Sequence, residues 1–107
     1  MDMAKKTVTL STNAEEKLEK MGTRIRQARL RRNISIEVVA QRATIGMSTL
    51  SLIEKGVSSV SIGAYVAVLE VLELDKDIEQ IALDEKGKRE FWEQNLRRRD
   101  RASRRKG

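Results

Sequence analysis

Ala14, Leu18, Met21, Ile25 and Ala28 recur at spacings of four, three, four and three. Only an α-helix, at about 3.6 residues per turn, brings such positions onto one face. A shorter run with the same period follows at Ile36, Val39, Ala40 and Ala43, and Ile45, Leu50 and Ile53 form a further apolar stripe. The chain of 107 residues has no proline and only three aromatic residues, Tyr65, Phe91 and Trp92. An all-β fold needs turn residues and aromatic or β-branched strands, so an all-α fold of four to five helices is expected. The length suits one domain with a modest core.

The residues between these runs set the helix ends. Thr12 or Asn13 can cap the first helix, and Thr12 with Glu15 fits a capping box. The helix runs to about Arg32 and ends at Asn33, with Gly22 inside it at a cost of ~1 kcal/mol relative to alanine. Ser35 caps a second helix over about 36–43. Thr44-Ile45-Gly46 is a break, and Gly46 opens a third helix over about 47–55 that Gly56 stops. Ser61 caps a fourth helix, Ile62 to about Leu72, which is apolar almost all round. Such a helix must be covered on more than one side. A second subunit is the expected cover, with Val66, Leu69, Leu72, Leu74, Ile78 and Ile81 divided between core and symmetric interface; the alternative is cover by the C-terminal segment. A fifth helix starts at Asp75 or Asp77 and ends at Lys86-Gly87-Lys88, and Phe91, Trp92 and Leu96 give a last turn or two. The expected organisation is an arm over 1–12, a domain over 13–83, a helical extension over 84–96 and a basic disordered tail over 97–107.

Chemistry is narrowed by what is missing. With no cysteine and no histidine, disulfides, thiol catalysis, zinc-finger sites and histidine acid–base chemistry are excluded. No cofactor or metal is expected. An enzyme would need a Ser–Lys pair or paired carboxylates; Ser48, Ser51 and Lys55 lie close on the third helix, but an exposed helix offers no cleft to shift a pKa. Met1–Ser11 has no apolar core run, so it does not read as a secretory signal, and no apolar run reaches the ~20 residues of a membrane span. A cytoplasmic, nucleoid-associated bacterial protein is expected.

Charge is segregated along the chain. The net formal charge is +6; residues 20–56 carry +6, residues 70–96 carry −5, and residues 97–107 carry +6. Basic segments attract nucleic-acid phosphates through counterion release. Helix, tight break, helix is also the arrangement that lets one α-helix enter the major groove while another crosses the backbone.

The residues Gly22-x-x-Ile25-Arg26-x-x-Arg29, Ser35-x-x-x-Val39-Ala40, Ser48-Thr49-Leu50-Ser51-x-Ile53-Glu54-Lys55-Gly56 and Ser61-Ile62 resemble the Cro and phage-repressor type of helix-turn-helix regulator, the xenobiotic-response-element family. The resemblance covers about half the chain. It implies a lambda-repressor-like DNA-binding domain in which Arg29 pairs with Glu54, a structural salt bridge. It implies that Met47, Ser48, Thr49 and Leu52 meet base edges, and that Arg26, Ser35, Arg42, Gly46, Lys55, Ser58 and Ser59 approach phosphates. Double-stranded operator DNA and a second copy of the chain are the implied partners. The sequence departs from the family at Thr44, where the turn often has glycine, at Gly46, where serine is usual, and at Val60, where proline is usual. Met47, Ser48 and Leu52 replace the frequent Gln, Arg or Asn, which turns attention to thymine methyls and DNA shape.

Val57-Ser-Ser-Val-Ser-Ile-Gly-Ala-Tyr, Val68-Leu-Glu-Val-Leu-Glu-Leu-Asp and Ile81-Ala82, with the basic tail at Leu96-Arg-Arg-Arg, are similar to HipB-type antitoxins. That resemblance implies a HipA-like kinase toxin as partner and an autoregulated operon; the alternative is a stand-alone phage-like or metabolic repressor.

Overall fold

Ser11 opens the first helix of the computed structural model, which describes residues 8–84 and 92–97. Its hydroxyl accepts from the Ala14 amide at 3.1 Å and starts α1 (Thr12–Arg31). The cap is therefore one residue earlier than a Thr12–Glu15 capping box would place it. Asn13 is already inside the helix, where its Oδ1 accepts from Lys17 Nζ at 2.8 Å. Serine caps as well as asparagine does, so the earlier cap lengthens the helix and still satisfies the Ala14 amide.

Ser35 and Ser61 act in the same way. Their hydroxyls accept from Val38 and Ala64, each at 3.2 Å, and open α2 (Ile36–Ala43) and α4 (Ile62–Val71). Gly46 opens α3 (Met47–Glu54) with no side-chain cap.

These four helices end by one device. The residue just past each is left-handed: Asn33 (φ 53°), Thr44 (φ 58°), Gly56 (φ 72°) and Glu73 (φ 61°). The next residue is apolar, and its amide reaches back five residues. Ile34 donates to the Arg29 carbonyl at 3.3 Å, Ile45 to Ala40 at 3.0 Å, Val57 to Leu52 at 3.1 Å and Leu74 to Leu69 at 2.8 Å. This is the Schellman closure, which satisfies carbonyls that the helix leaves free. Glycine suits the left-handed position, yet only one of the four is glycine. The break at Thr44 thus places a β-branched residue where such residues are outliers.

The expected fifth α-helix is instead a 3-10 helix, Asp75–Gln80. Its six residues include three acids and one apolar side chain, Ile78, too little to support an α-helix through packing. Ala82 turns left-handed (φ 65°), so Ile78 is half-buried while Ile81 and Ala82 are exposed. A short helix, α5, covers 92–97 and exposes Trp92 and Leu96. The Lys86-Gly87-Lys88 break, Phe91, residues 1–7 of the arm and residues 98–107 of the tail lie outside the described residues.

The chain packs as two compact units, divided between Asp75 and Lys76. In the first, α1 packs on α3, and α2 packs on both α3 and α4. The core is Ile25, Ala28, Val39, Ala40, Leu50, Ile53, Tyr65, Val68, Leu69 and Leu72. Each large member contributes roughly 1.5–3 kcal/mol through removal from water. Tyr65 keeps a polar handle: its hydroxyl donates to the Val57 carbonyl at 2.8 Å and ties the loop after α3 to α4. Burial pushes its pKa above the ordinary tyrosine value. There is no strand among the described residues.

Candidate nucleic-acid interface

The junction of α1 with α3 explains how α3 is held. Gly22 is buried on α1. A Cβ there would meet backbone atoms of α3 and its end, the Gly56 nitrogen at 2.6 Å, the Ile53 oxygen at 2.7 Å and the Glu54 oxygen at 2.8 Å. Gly56 is placed reciprocally. A Cβ on it would overlap the Leu18 carbonyl oxygen and lie 2.5 Å from the Glu19 Cα. The two glycines let the backbones touch, so the helix-propensity cost of Gly22 is offset by close packing.

Beside this contact lies the one charged pair among the described buried residues. Arg29 Nε donates to Glu54 Oε2 at 2.7 Å and its Nη2 donates to Glu54 Oε1 at 3.1 Å. Its Nη1 donates to the Ile34 carbonyl at 3.0 Å. Arg29 thus ties together the end of α1, the link to α2 and the last residue of α3. The paired fork matches the planar geometries of guanidinium and carboxylate. No buried side-chain nitrogen or oxygen lacks a partner among the described residues.

With Leu50 and Ile53 fully buried and Glu54 held by Arg29, the outward face of α3 follows from helix geometry. At about 100° per residue, Met47, Ser51, Lys55, Ser48 and Leu52 fall, in that angular order, within an arc of about 140°. Met47 is 54% exposed and Leu52 is 39% exposed; Ser48 is exposed, and Ser51 is half-buried. Thr49 lies beyond the edge of this arc and is half-buried. Ser51 sits inside the arc but was not among the expected base-edge residues; counting the helical period locates it. No side chain of α3 outside the Arg29 pair carries a charge.

The expected phosphate-facing residues Arg26, Ser35, Arg42, Gly46, Lys55, Ser58 and Ser59 are all exposed. Ser35 already uses its hydroxyl on the Val38 amide. Lys55 and Ser58 share a shallow hollow with Glu15 and Glu19 of α1. Those two carboxylates oppose an approaching phosphate there, whereas Arg42 closes α2 immediately before the turn. Only tertiary packing brings Glu15 and Glu19 to Lys55, forty and thirty-six positions away in sequence, so no local pattern signals it. Among the expected interface residues, Leu69 and Leu72 are core, Val66, Leu74 and Ile78 are half-buried, and Ile81 is 58% exposed.

Two short helices at a tight turn, the second with an uncharged exposed face, match a family model described as a helix-turn-helix domain over residues 20–80. The chain belongs to that family. The match spans all four helices of the first unit apart from the start of α1. No curated protein matches the chain. As a helix-turn-helix domain it is a DNA-binding regulator, and no helix among the described residues is long and apolar enough to cross a membrane.

Proposed function

We propose that the chain is a dimeric, sequence-specific transcriptional repressor whose α3 enters the major groove. The observation that carries this reading is the outward arc of α3 on a helix whose other side is fixed by the Arg29–Glu54 fork. A groove-reading helix must be rigidly aimed and must leave its own exposed face unspent. Met47, Ser48 and Leu52 meet base edges, with Ser51 between them and Thr49 outside the arc. Arg26, Arg42 and Ser59 approach phosphates, Lys55 and Ser58 lie where Glu15 and Glu19 weaken that attraction, and Ser35 and Gly46 bring the first amides of α2 and α3 toward the backbone. Leu69 and Leu72 serve the core, which leaves Val66, Leu74, Ile78 and Ile81 for the symmetric contact. Two-fold symmetry then sets half-sites about one helical turn, ~34 Å, apart.

The antitoxin reading is the finer one, supported by the similarity of residues 57–82 to HipB-type antitoxins. In it, the chain neutralises a HipA-like kinase toxin in the bacterial cytoplasm and represses its own operon with it; a stand-alone repressor is the alternative. Footprinting on the promoter of its own gene, with and without the co-purified neighbouring gene product, separates the two. A footprint sharpened by a kinase-like partner supports the antitoxin. A footprint from the chain alone, with no partner recovered, supports the stand-alone repressor. No footprint on any sequence-selected duplex removes the regulator reading. Sedimentation of the full chain at high micromolar concentration tests the dimer: a monomer refutes it, and an exposed-site variant, Ile81→Asp, is expected to turn a dimer into monomers.

A further inference from the structure

Before its C-cap Lys55, the outward arc of α3 contains no side chain able to make a bidentate pair with guanine or adenine. Before the C-cap it offers Met47, Ser48, Ser51 and Leu52. Arg or Lys reads guanine, and Asn or Gln reads adenine, each through two hydrogen bonds. Lys55 is at the C-terminal end, over the hollow it shares with Glu15 and Glu19. The serine hydroxyls donate or accept with any base, so they discriminate weakly. What remains to discriminate is apolar surface: Met47 at 54% exposure and Leu52 at 39%.

In the major groove, one base presents an apolar group, the C5 methyl of thymine. Resting on the regulator reading above, we propose that Met47 and Leu52 are the specificity-determining residues and that they read thymine methyl groups. The two residues stand five positions apart, about 7.5 Å along the helix axis. That is roughly the rise of two base-pair steps, so the two methyls come from separate base pairs in one half-site. The arrangement suits an uncharged helix. Phosphate attraction comes from Arg26 and Arg42 outside α3, and discrimination comes from excluding water between methyl groups.

The test uses the full chain and changes the DNA rather than the fold. Duplexes are selected from a randomised pool, and each thymine of the selected half-site is then replaced in turn by deoxyuridine, which pairs identically but lacks the methyl. Affinity is read by fluorescence anisotropy at fixed salt against a scrambled duplex. Loss of a buried methyl is expected to weaken binding roughly three- to fivefold at each contacted thymine. In Leu52→Ala, the deoxyuridine penalty at one of those positions is expected to vanish while the other persists. If every deoxyuridine duplex binds as tightly as the parent, and the parent is still preferred to the scrambled duplex, the methyl assignment is wrong and DNA reading stands. If no duplex is preferred to the scrambled one, the regulator reading itself fails. Should Leu52→Ala not fold, the deoxyuridine series on the unaltered chain decides the matter alone.

Discussion

Within the eight residues of α3, Leu50 and Ile53 are fully buried, Glu54 is gripped by Arg29 at 2.7 and 3.1 Å, and Met47, Ser48 and Leu52 face solvent. The inner side has its partners fixed by geometry: a fork that fits one carboxylate, and two glycines that admit one backbone spacing. The outer side carries no charge before the C-cap Lys55. A helix built this way separates aiming from reading. Changes on the inner side act on folding first and on recognition as a consequence, and a change at Met47, the most exposed apolar position of the outer side, acts chiefly on recognition.

The strongest way to break that division is Glu54→Ala. It strands the Arg29 guanidinium in the core with only the Ile34 carbonyl as partner. Losing one member of a buried pair costs roughly 3–5 kcal/mol, which is a large share of the stability of a domain this size. Chemical denaturation is the measurement, and a loss under about 1 kcal/mol would mean the pair is better solvated than its burial implies. Replacing both residues, Arg29→Met with Glu54→Leu, is expected to recover most of the loss, since no charge is then left without a partner.

Next in size is Gly22→Ala. In a free helix this change gains up to ~1 kcal/mol. Here the new methyl would sit 2.6–2.8 Å from three backbone atoms, none of which can rotate away, so α1 and α3 must separate. The expected outcome is a loss of about 1–3 kcal/mol, seen as a lower Tm. A gain would show that the junction has slack and that the aim of α3 is looser than the backbone contact implies.

How far the sequence reveals this molecule differs between its parts. The periods at Ala14–Ala28, Ile36–Ala43 and Ile45–Ile53 place the first three helices, because each helix has one apolar face and a polar remainder. Ser35 and Ser61 mark caps that depend only on local hydrogen bonds. The pairing of Arg29 with Glu54, twenty-five residues apart, follows from the family resemblance and not from any local rule. Periodicity failed after Leu74, since Leu74, Ile78, Ile81 and Ala82 keep helical spacing, yet six largely charged residues close as a 3-10 turn. Asn33 suits the left-handed cap and agrees with the helix ending there, whereas the closure at Glu73 is hidden because glutamate does not announce that geometry. Their shared signal is the apolar residue just after, Ile34 and Leu74. In the site, the exposure of Met47, Ser48 and Leu52 is legible from the helical period, while the neighbours of Lys55 depend on how α1 packs.

A smaller effect of opposite sign is expected at the turn. Thr44 is β-branched at φ 58°, a conformation that costs a non-glycine residue about 1–2 kcal/mol. Thr44→Asn keeps a side chain that tolerates this region and avoids the added chain entropy of glycine. It is expected to raise stability by up to about 1 kcal/mol, read from the denaturation midpoint at unchanged slope. Thr44 lies in the turn and not on the outward arc, so preference among duplexes is expected to persist. A destabilised variant would show that the threonine side chain makes a compensating contact in the turn.

The smallest effect belongs to the outer side, and it is the sharpest test of the division. Met47 is the first residue of α3 and is 54% exposed. Alanine has the better helix propensity, and little apolar area is lost from the fold, so Met47→Ala is expected to change stability by no more than ~0.5 kcal/mol. The Schellman closure at the other end of α3 uses the carbonyl of Leu52 and the amide of Val57, neither of which involves this side chain. Denaturation and duplex binding are measured on the same preparation. Stability near that of the parent, together with a weakened preference for the selected duplex, assigns Met47 to reading. A loss of 2 kcal/mol or more would place Met47 in the core, and the two sides of α3 would then not be separable.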